Sequence, residues 1–161
     1  MAVGVLDGSS RTSSVSGRIL EMVEKLGMAQ GAVSSPPLWN LFGKDLTVES
    51  AELNESFADD FHTATSSNDI DAIVNILNTA AEEMVEWTNA NEMSISAPKS
   101  TVTLFTPWTK QVNSQLNVKI DNVAVPTVKC PRLLGVIFNP LYTFSQHAVS
   151  IARRASSRLN I

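Results

Sequence analysis

Between positions 69 and 89 the residues Ile70, Ile73, Val74, Leu77, Ala81, Met84 and Val85 recur at helical spacing on one side. A helix this long and this one-sided has to lie on an apolar surface, so the stripe is read as core and given no functional role. Ser66-Ser67-Asn68 supplies the turn before it. Asn68 followed three residues later by Asp71 resembles a capping box with Asp in place of the usual Glu.

The segments on either side supply strands. Residues 2–6 form a short apolar run ended by an Asp7-Gly8-Ser9-Ser10 turn, with a Ser/Thr-rich loop over 9–16. Ile19, Leu20, Val23 and Leu26 predict a short amphipathic helix over 18–26, stopped by Gly27. Ser35 before Pro36-Pro37 predicts a helix start running over 36–46. Residues 101–106 alternate and are β-prone, and 117–120 and 123–128 flank Asp121-Asn122 as a hairpin whose link tolerates positive φ. The run 133–138 predicts a strand buried on both faces. A last helix over 145–160 would turn Ala148, Ile151, Ala152, Ala155 and Leu159 inward, with arginines in its final turns. The class is α+β. A chain of 161 residues without repeats or linkers is one domain's worth.

Composition narrows the function. At 43% hydrophobic and 17% charged residues the chain is not a disordered one, and no apolar run is long enough to span a bilayer. The N-terminus lacks a basic signal-peptide region, so the expectation is an intracellular protein, nuclear or cytoplasmic, not secreted, with no membrane partner. One cysteine, Cys130, leaves no internal disulfide and no multi-cysteine zinc site; His62 and His147 have no metal-ligand spacing. A net charge of −4 argues against a free-standing nucleic-acid binder. The charge is uneven, however: acids concentrate over 45–92, while Arg153, Arg154 and Arg158 fall in the last nine residues.

One stretch carries chemistry. Glu55-Ser56-Phe57-Ala58-Asp59-Asp60-Phe61-His62 sets two adjacent carboxylates between two Phe side chains. Folded as strand, tight turn, strand, the aromatics would anchor the arms and the carboxylates crown the turn. Such a crown suits Mg2+, which takes one or two protein carboxylates plus phosphate oxygens. An Asp-Asp pair is more often a plain turn former, so its meaning rests on its surroundings.

Those surroundings fall into a recognisable order. Gly27-Met28-Ala29-Gln30-Gly31 through Ser35-Pro36 is similar to the Gly-x-Pro-Gln-Gly…Ser-Pro motif of reverse transcriptases, with Ala29 in place of the proline. Phe57-Ala58-Asp59-Asp60 resembles the aromatic-Ala-Asp-Asp box, and Ala97-Pro98-Lys99-Ser100 the Asn-Pro-x-Lys-Thr connector after the palm helix. Leu133-Leu134-Gly135-Val136-Ile137-Phe138 looks like the primer-grip strand, and Phe144-Ser145-Gln146-His147 before a basic helix like the start of the thumb. Five such motifs in order resemble the C-terminal palm half of a non-LTR, LINE-type retrotransposon reverse transcriptase. The division implied is a degenerate segment over 1–26, palm over 27–138, and thumb start over 139–161.

The resemblance implies RNA-directed DNA synthesis by two-metal nucleotidyl transfer on an RNA template and DNA primer, with deoxynucleoside triphosphates as substrates. It implies Asp59 as principal metal ligand and Asp60 as the weaker partner, with Mg2+ (or Mn2+) as the metal. Lys99 would stand near the triphosphate as a cation and acid for the leaving group, and Gln30, Gly31 and Phe57 beside nucleotide and template. Leu134 and Gly135 would grip the primer, and Arg153, Arg154 and Arg158 would track the duplex backbone. The family takes a further Asp from an earlier strand. The only upstream candidate, Asp7, lies 24 residues before Gly31, too few for the family's helical crossover. Residues 3–8 look more like the strand just before the Gln-Gly loop, and the fingers have no counterpart. The expectation is a truncated or degenerate copy, inactive alone, prone to self-associate through an uncovered sheet edge. Two alternatives stay open: a non-catalytic nucleic-acid-binding remnant, and an interaction domain in which Asp59-Asp60 is a simple turn.

Overall fold

The computed structural model describes residues 2–9, as backbone, and residues 33–159. The helix expected over 18–26 lies outside them. Strand β1 (Ala2–Ser9) runs through the Asp7-Gly8-Ser9 stretch that the sequence suggested was a turn. Helix α1 (Ser35–Phe42) carries two prolines in its first turn, where no backbone donor is needed. It is shorter than expected, because a 3-10 turn, Gly43–Asp45, ends it. Ser34 takes the N-cap position without a side-chain cap bond.

Strands β2 (Leu53–Phe57) and β3 (Asp60–Ser67) form the expected hairpin. Helix α2 (Ile70–Ala90) follows, and Asp69 rather than Asn68 caps it: its carboxylate accepts from the Asp71 N–H at 3.1 Å. Strand β4 (Thr101–Phe105) completes a four-stranded antiparallel sheet in the order β2-β3-β1-β4. β1 is thus central, between the carboxylate hairpin and β4. The Gln-Gly loop that the sequence places after this strand lies outside the described residues.

The core lies between this sheet and α2. Ile73, Leu77 and Ala81 meet Val102 and Leu104 of β4, while Ala80 and Met84 meet Phe61 of β3 and Val48. Each fully buried aliphatic side chain here contributes roughly 1.5–3 kcal/mol by leaving water. Strands β5 (Lys119–Ile120) and β6 (Val123–Ala124) form the second expected hairpin. Asp121 and Asn122 both hold positive φ, 51° and 63°, as a primed turn requires. Leu116, Val118, Ile120 and Val125 from this region extend the core. The Asn78 side chain ties the region to α2, donating to the Asn117 carbonyl and accepting from the Lys119 N–H.

The two sheet edges differ. Beyond β4 the chain returns alongside it: Val102 N–H donates to the Pro126 carbonyl and Val128 N–H to the Val102 carbonyl. β2 at the other edge is exposed at all five positions. This is why Glu52, Asn54, Glu55 and Ser56, poor residues for a central palm strand, are tolerated here.

The segment 133–138 is not one buried strand. It folds as a hairpin of β7 (Arg132–Leu133) and β8 (Val136–Ile137), half-buried at best, turning at Leu134 and Gly135. Both turn residues have positive φ, 46° and 86°, and Gly135 takes it without a Cβ penalty. Helix α3 (Ser145–Leu159) departs further from expectation, because no residue of it is buried. The side expected to face inward, Ile151 and Leu159 included, lies open. α3 meets the body through His147, whose Nδ1 accepts from the Ile137 N–H at 3.3 Å.

Candidate functional site

The turn of the first hairpin consists of Ala58 and Asp59, with Asp60 opening β3. Ala58 sits at φ 54°, the positive value that a tight link between right-twisted strands demands at its first residue. Along β3 the side chains alternate. Phe61, Thr63 and Thr65 are buried towards α2, so Asp60, His62, Ala64 and Ser66 share the opposite face. Asp59 is exposed on the turn and Asp60 half-buried beside it. The two carboxylates are thus neighbours at the bend, one on the turn and one at the first position of β3.

The two aromatics that flank them have separate fates. Phe61 is buried, 4% exposed, and packs edge-on against Trp87 at 6.4 Å. Phe57 is 62% exposed, so only Phe61 of the two is anchored in the core, which corrects the expectation of paired aromatic anchors. The turn is held instead by a residue that the sequence did not single out. The Trp39 indole N–H of α1 donates to the Ala58 carbonyl, and Trp39 continues through Phe42 to Trp87 in a chain of ring contacts at 5.7 and 5.5 Å. The only sequence signal for this was the i, i+3 spacing of Trp39 and Phe42.

Backbone register brings further residues to the same end of the sheet. Ser9 pairs with Asp60, and Asp7 pairs with His62 on one side and Thr101 on the other. Asp7 thus lies on the strand adjacent to the carboxylate hairpin, paired two residues along β3 from Asp60. Lys99 is two residues ahead of Thr101, exposed, in a turn whose backbone bonds to the Ser96 carbonyl. It precedes the end of β4 that lies level with His62, the turn's end of the sheet.

The expected primer-grip residues sit elsewhere on this molecule. Phe105, at the other end of β4, stacks on Tyr142 at 4.8 Å and meets Phe138 edge-on at 6.2 Å. By register Phe105 is on the same face as His62. The β7–β8 hairpin and the start of α3 are therefore mounted on the face that bears the carboxylates, towards the end away from their turn. Leu134, 63% exposed, and Gly135 form the hairpin tip. Arg153 and Arg154 line an open groove of about 680 Å³ between α3 and Ile137, and Arg158 lies one turn beyond. Partial burial raises the pKa of the Tyr142 hydroxyl above its usual 10.0. Gln30 and Gly31 fall outside the described residues.

Among the described residues no three His, Cys, Asp or Glu side chains gather as a ready metal cage. What they offer is the Asp59–Asp60 pair, the donor set that suits a Mg2+ completed by phosphate oxygens and water. No described helix is long and apolar enough to cross a membrane. No family model matches the chain, and neither a curated protein nor a solved structure does.

Proposed function

We propose that this chain is part of a reverse-transcriptase palm of the non-LTR, LINE type, reaching into the first helix of the thumb. The observation that carries the reading is the carboxylate turn in its setting. A tight hairpin presents Asp59 and Asp60 at one end of an antiparallel sheet, α2 backs the sheet, and a second Asp-bearing strand runs alongside. The order of motifs along the chain agrees with that setting.

In this reading Asp59 and Asp60 would hold Mg2+, or Mn2+ in its place. Two such ions would supply the chemistry between them, one activating a primer 3′-hydroxyl and one neutralising the leaving diphosphate oxygen. Lys99 contributes positive charge at the same end of the sheet, where a triphosphate would lie. Gln30, Gly31 and Phe57 border the nucleotide and template. The exposed Leu134–Gly135 tip meets the primer, and Arg153, Arg154 and Arg158 run along the phosphates of an RNA–DNA duplex. The active form would join deoxynucleoside triphosphates to that primer. In this reading the chain by itself would not, because the 23 residues between Asp7 and Gly31 leave too little backbone for the family's crossover.

A second reading has one observation in its favour. No residue of α3 is buried, and its three arginines have no ion pair among the described residues, as a non-catalytic nucleic-acid-binding remnant would have it. Two assays test these readings. Primer extension with Mg2+ or Mn2+ should give no product, and incorporation that disappears in Asp59→Ala would prove the chain a working polymerase. Binding to a primed RNA–DNA duplex should be retained at low salt and fall steeply as salt rises. Absence of binding at low salt contradicts both readings and leaves an α+β interaction domain.

A further inference from the structure

Charge is segregated along this chain to an unusual degree. Residues 45–92 include twelve acids and no Lys or Arg, whereas residues 99–159 include eight Lys and Arg and a single acid, Asp121. The first stretch builds β2, β3 and α2, and the second ends in α3. Each carries an apolar surface that nothing in the described fold covers.

On β2 that surface is Leu53, Glu55 and Phe57. Alternation sets the three on one face of an edge strand, the face away from α2, because they pair with Ala64, His62 and Asp60. Leu53 is 54% exposed, and Glu55 lies between it and the still more exposed Phe57. The two apolar side chains are about 13 Å apart along the strand, at roughly 3.3 Å per residue. On α3, Ile151, Ala155 and Leu159 form one row at i, i+4 spacing, with Arg154 and Arg158 as the adjoining row. Ile151 and Leu159 are separated by about 12 Å at 1.5 Å per residue. Both are exposed, and the small Ala155 lies midway between them.

The two surfaces are complementary in spacing and in sign. We propose that α3 of one copy of this chain docks on the β2 face of a second copy. Ile151 and Leu159 meet Leu53 and Phe57, Ala155 leaves room for Glu55, and Arg154 and Arg158 pair with Glu55 and the neighbouring Glu52. A helix laid there covers the open edge of the sheet, one of the ways edge strands are protected. The contact joins unlike surfaces, so each copy keeps one free β2 face and one free α3. Association then continues past the dimer unless the ring closes. It goes beyond the polymerase reading and does not depend on a metal or on catalysis.

Sedimentation velocity on nuclease-treated protein, over a dilution series at low salt, tests it. The wild-type mass should rise with concentration beyond that of a dimer and return to monomer at high salt. Arg154→Glu with Arg158→Glu should abolish the rise; since α3 buries no residue, the fold survives, as circular dichroism would verify. Glu55→Lys should likewise give a monomer, and an equimolar mixture of the two variants should associate again, because the unaltered α3 of one variant meets the unaltered β2 face of the other and the two reversed surfaces also match in charge. A wild-type chain that stays monomeric throughout overturns the proposal, as does a mixture that stays apart. Association that persists in the arginine variant also overturns it and assigns the contact to two paired β2 edges. Association present only before nuclease treatment overturns it in favour of bridging nucleic acid. None of these failures touches the primed-duplex assay, which judges the polymerase reading separately.

Discussion

Helices α2 and α3 have comparable one-sided patterns and opposite fates. α2 lays Ile73, Leu77, Ala80, Ala81 and Met84 on the sheet and buries them. α3, with Ile151, Ala152, Ala155 and Leu159 along one side, buries none. Amphipathic spacing states that a face has apolar residues; whether it is covered depends on a partner surface. α2 finds its partner within the chain, because β3 and β4 each turn alternate side chains towards it. α3 is joined to the body by the His147 bond and the aromatic cluster around Phe105, and its stripe points elsewhere.

Substitution should separate the two helices most sharply at their apolar positions. Leu77→Ala, at a side chain with no exposed surface, should cost about 2–5 kcal/mol in chemical unfolding. Ile151→Ala in dilute protein should stay within roughly 0.5 kcal/mol of wild type. Equal losses at the two sites would erase the contrast.

The N-terminus of α2 comes next in size. Asp69→Ala removes the acceptor for the Asp71 N–H and should lower stability by about 1 kcal/mol, whereas Asn68→Ala should do far less. If Asn68→Ala proved the costlier, the cap would be the one suggested by sequence spacing.

That pair also marks where the sequence was informative. α2, the Asp121–Asn122 turn and the carboxylate hairpin were legible because each depends on residues within a few positions of one another. The exact cap was missed because Asn68 and Asp69 are both competent acceptors, and only the backbone angle at Asp69 decides between them. The central position of β1 was not legible, because an apolar run identifies a strand but not its neighbours. The Leu133–Phe138 hairpin was concealed because its turn uses Leu134, a residue with no turn preference, at positive φ. α3 was misread for the reason given above: nothing local specifies that a partner surface is missing. Of the site, the two carboxylates were legible and the Trp39 bond that holds their turn was not, being a contact across 19 positions.

The smallest expected effect lies where α3 is mounted. Tyr142 stacks on Phe105 with its hydroxyl pKa raised by burial, so the folded state favours the neutral phenol. Below 10 both states are protonated and stability is indifferent to this group. As pH rises past 10 the unfolded chain loses the proton first, and stability falls until the folded pKa is passed. Alkaline unfolding curves of wild type and Tyr142→Phe should therefore coincide near neutrality and diverge above pH 10, with the Phe variant the less sensitive. Parallel curves would show that the phenol titrates alike in both states.

The central claim is that the Asp59–Asp60 turn retains the metal affinity of a polymerase site. Titration of Mn2+ followed by its electron paramagnetic resonance signal, in wild type, Asp59→Asn and Asp60→Asn, tests it most directly. The account predicts saturable binding in wild type and a loss in Asp59→Asn that exceeds the roughly tenfold cost of removing an outer-shell partner. Asp60→Asn should have a smaller effect, and neither variant should change helix content. Identical Mn2+ affinity in all three proteins would contradict the account and leave Asp59 and Asp60 as the residues of an ordinary turn.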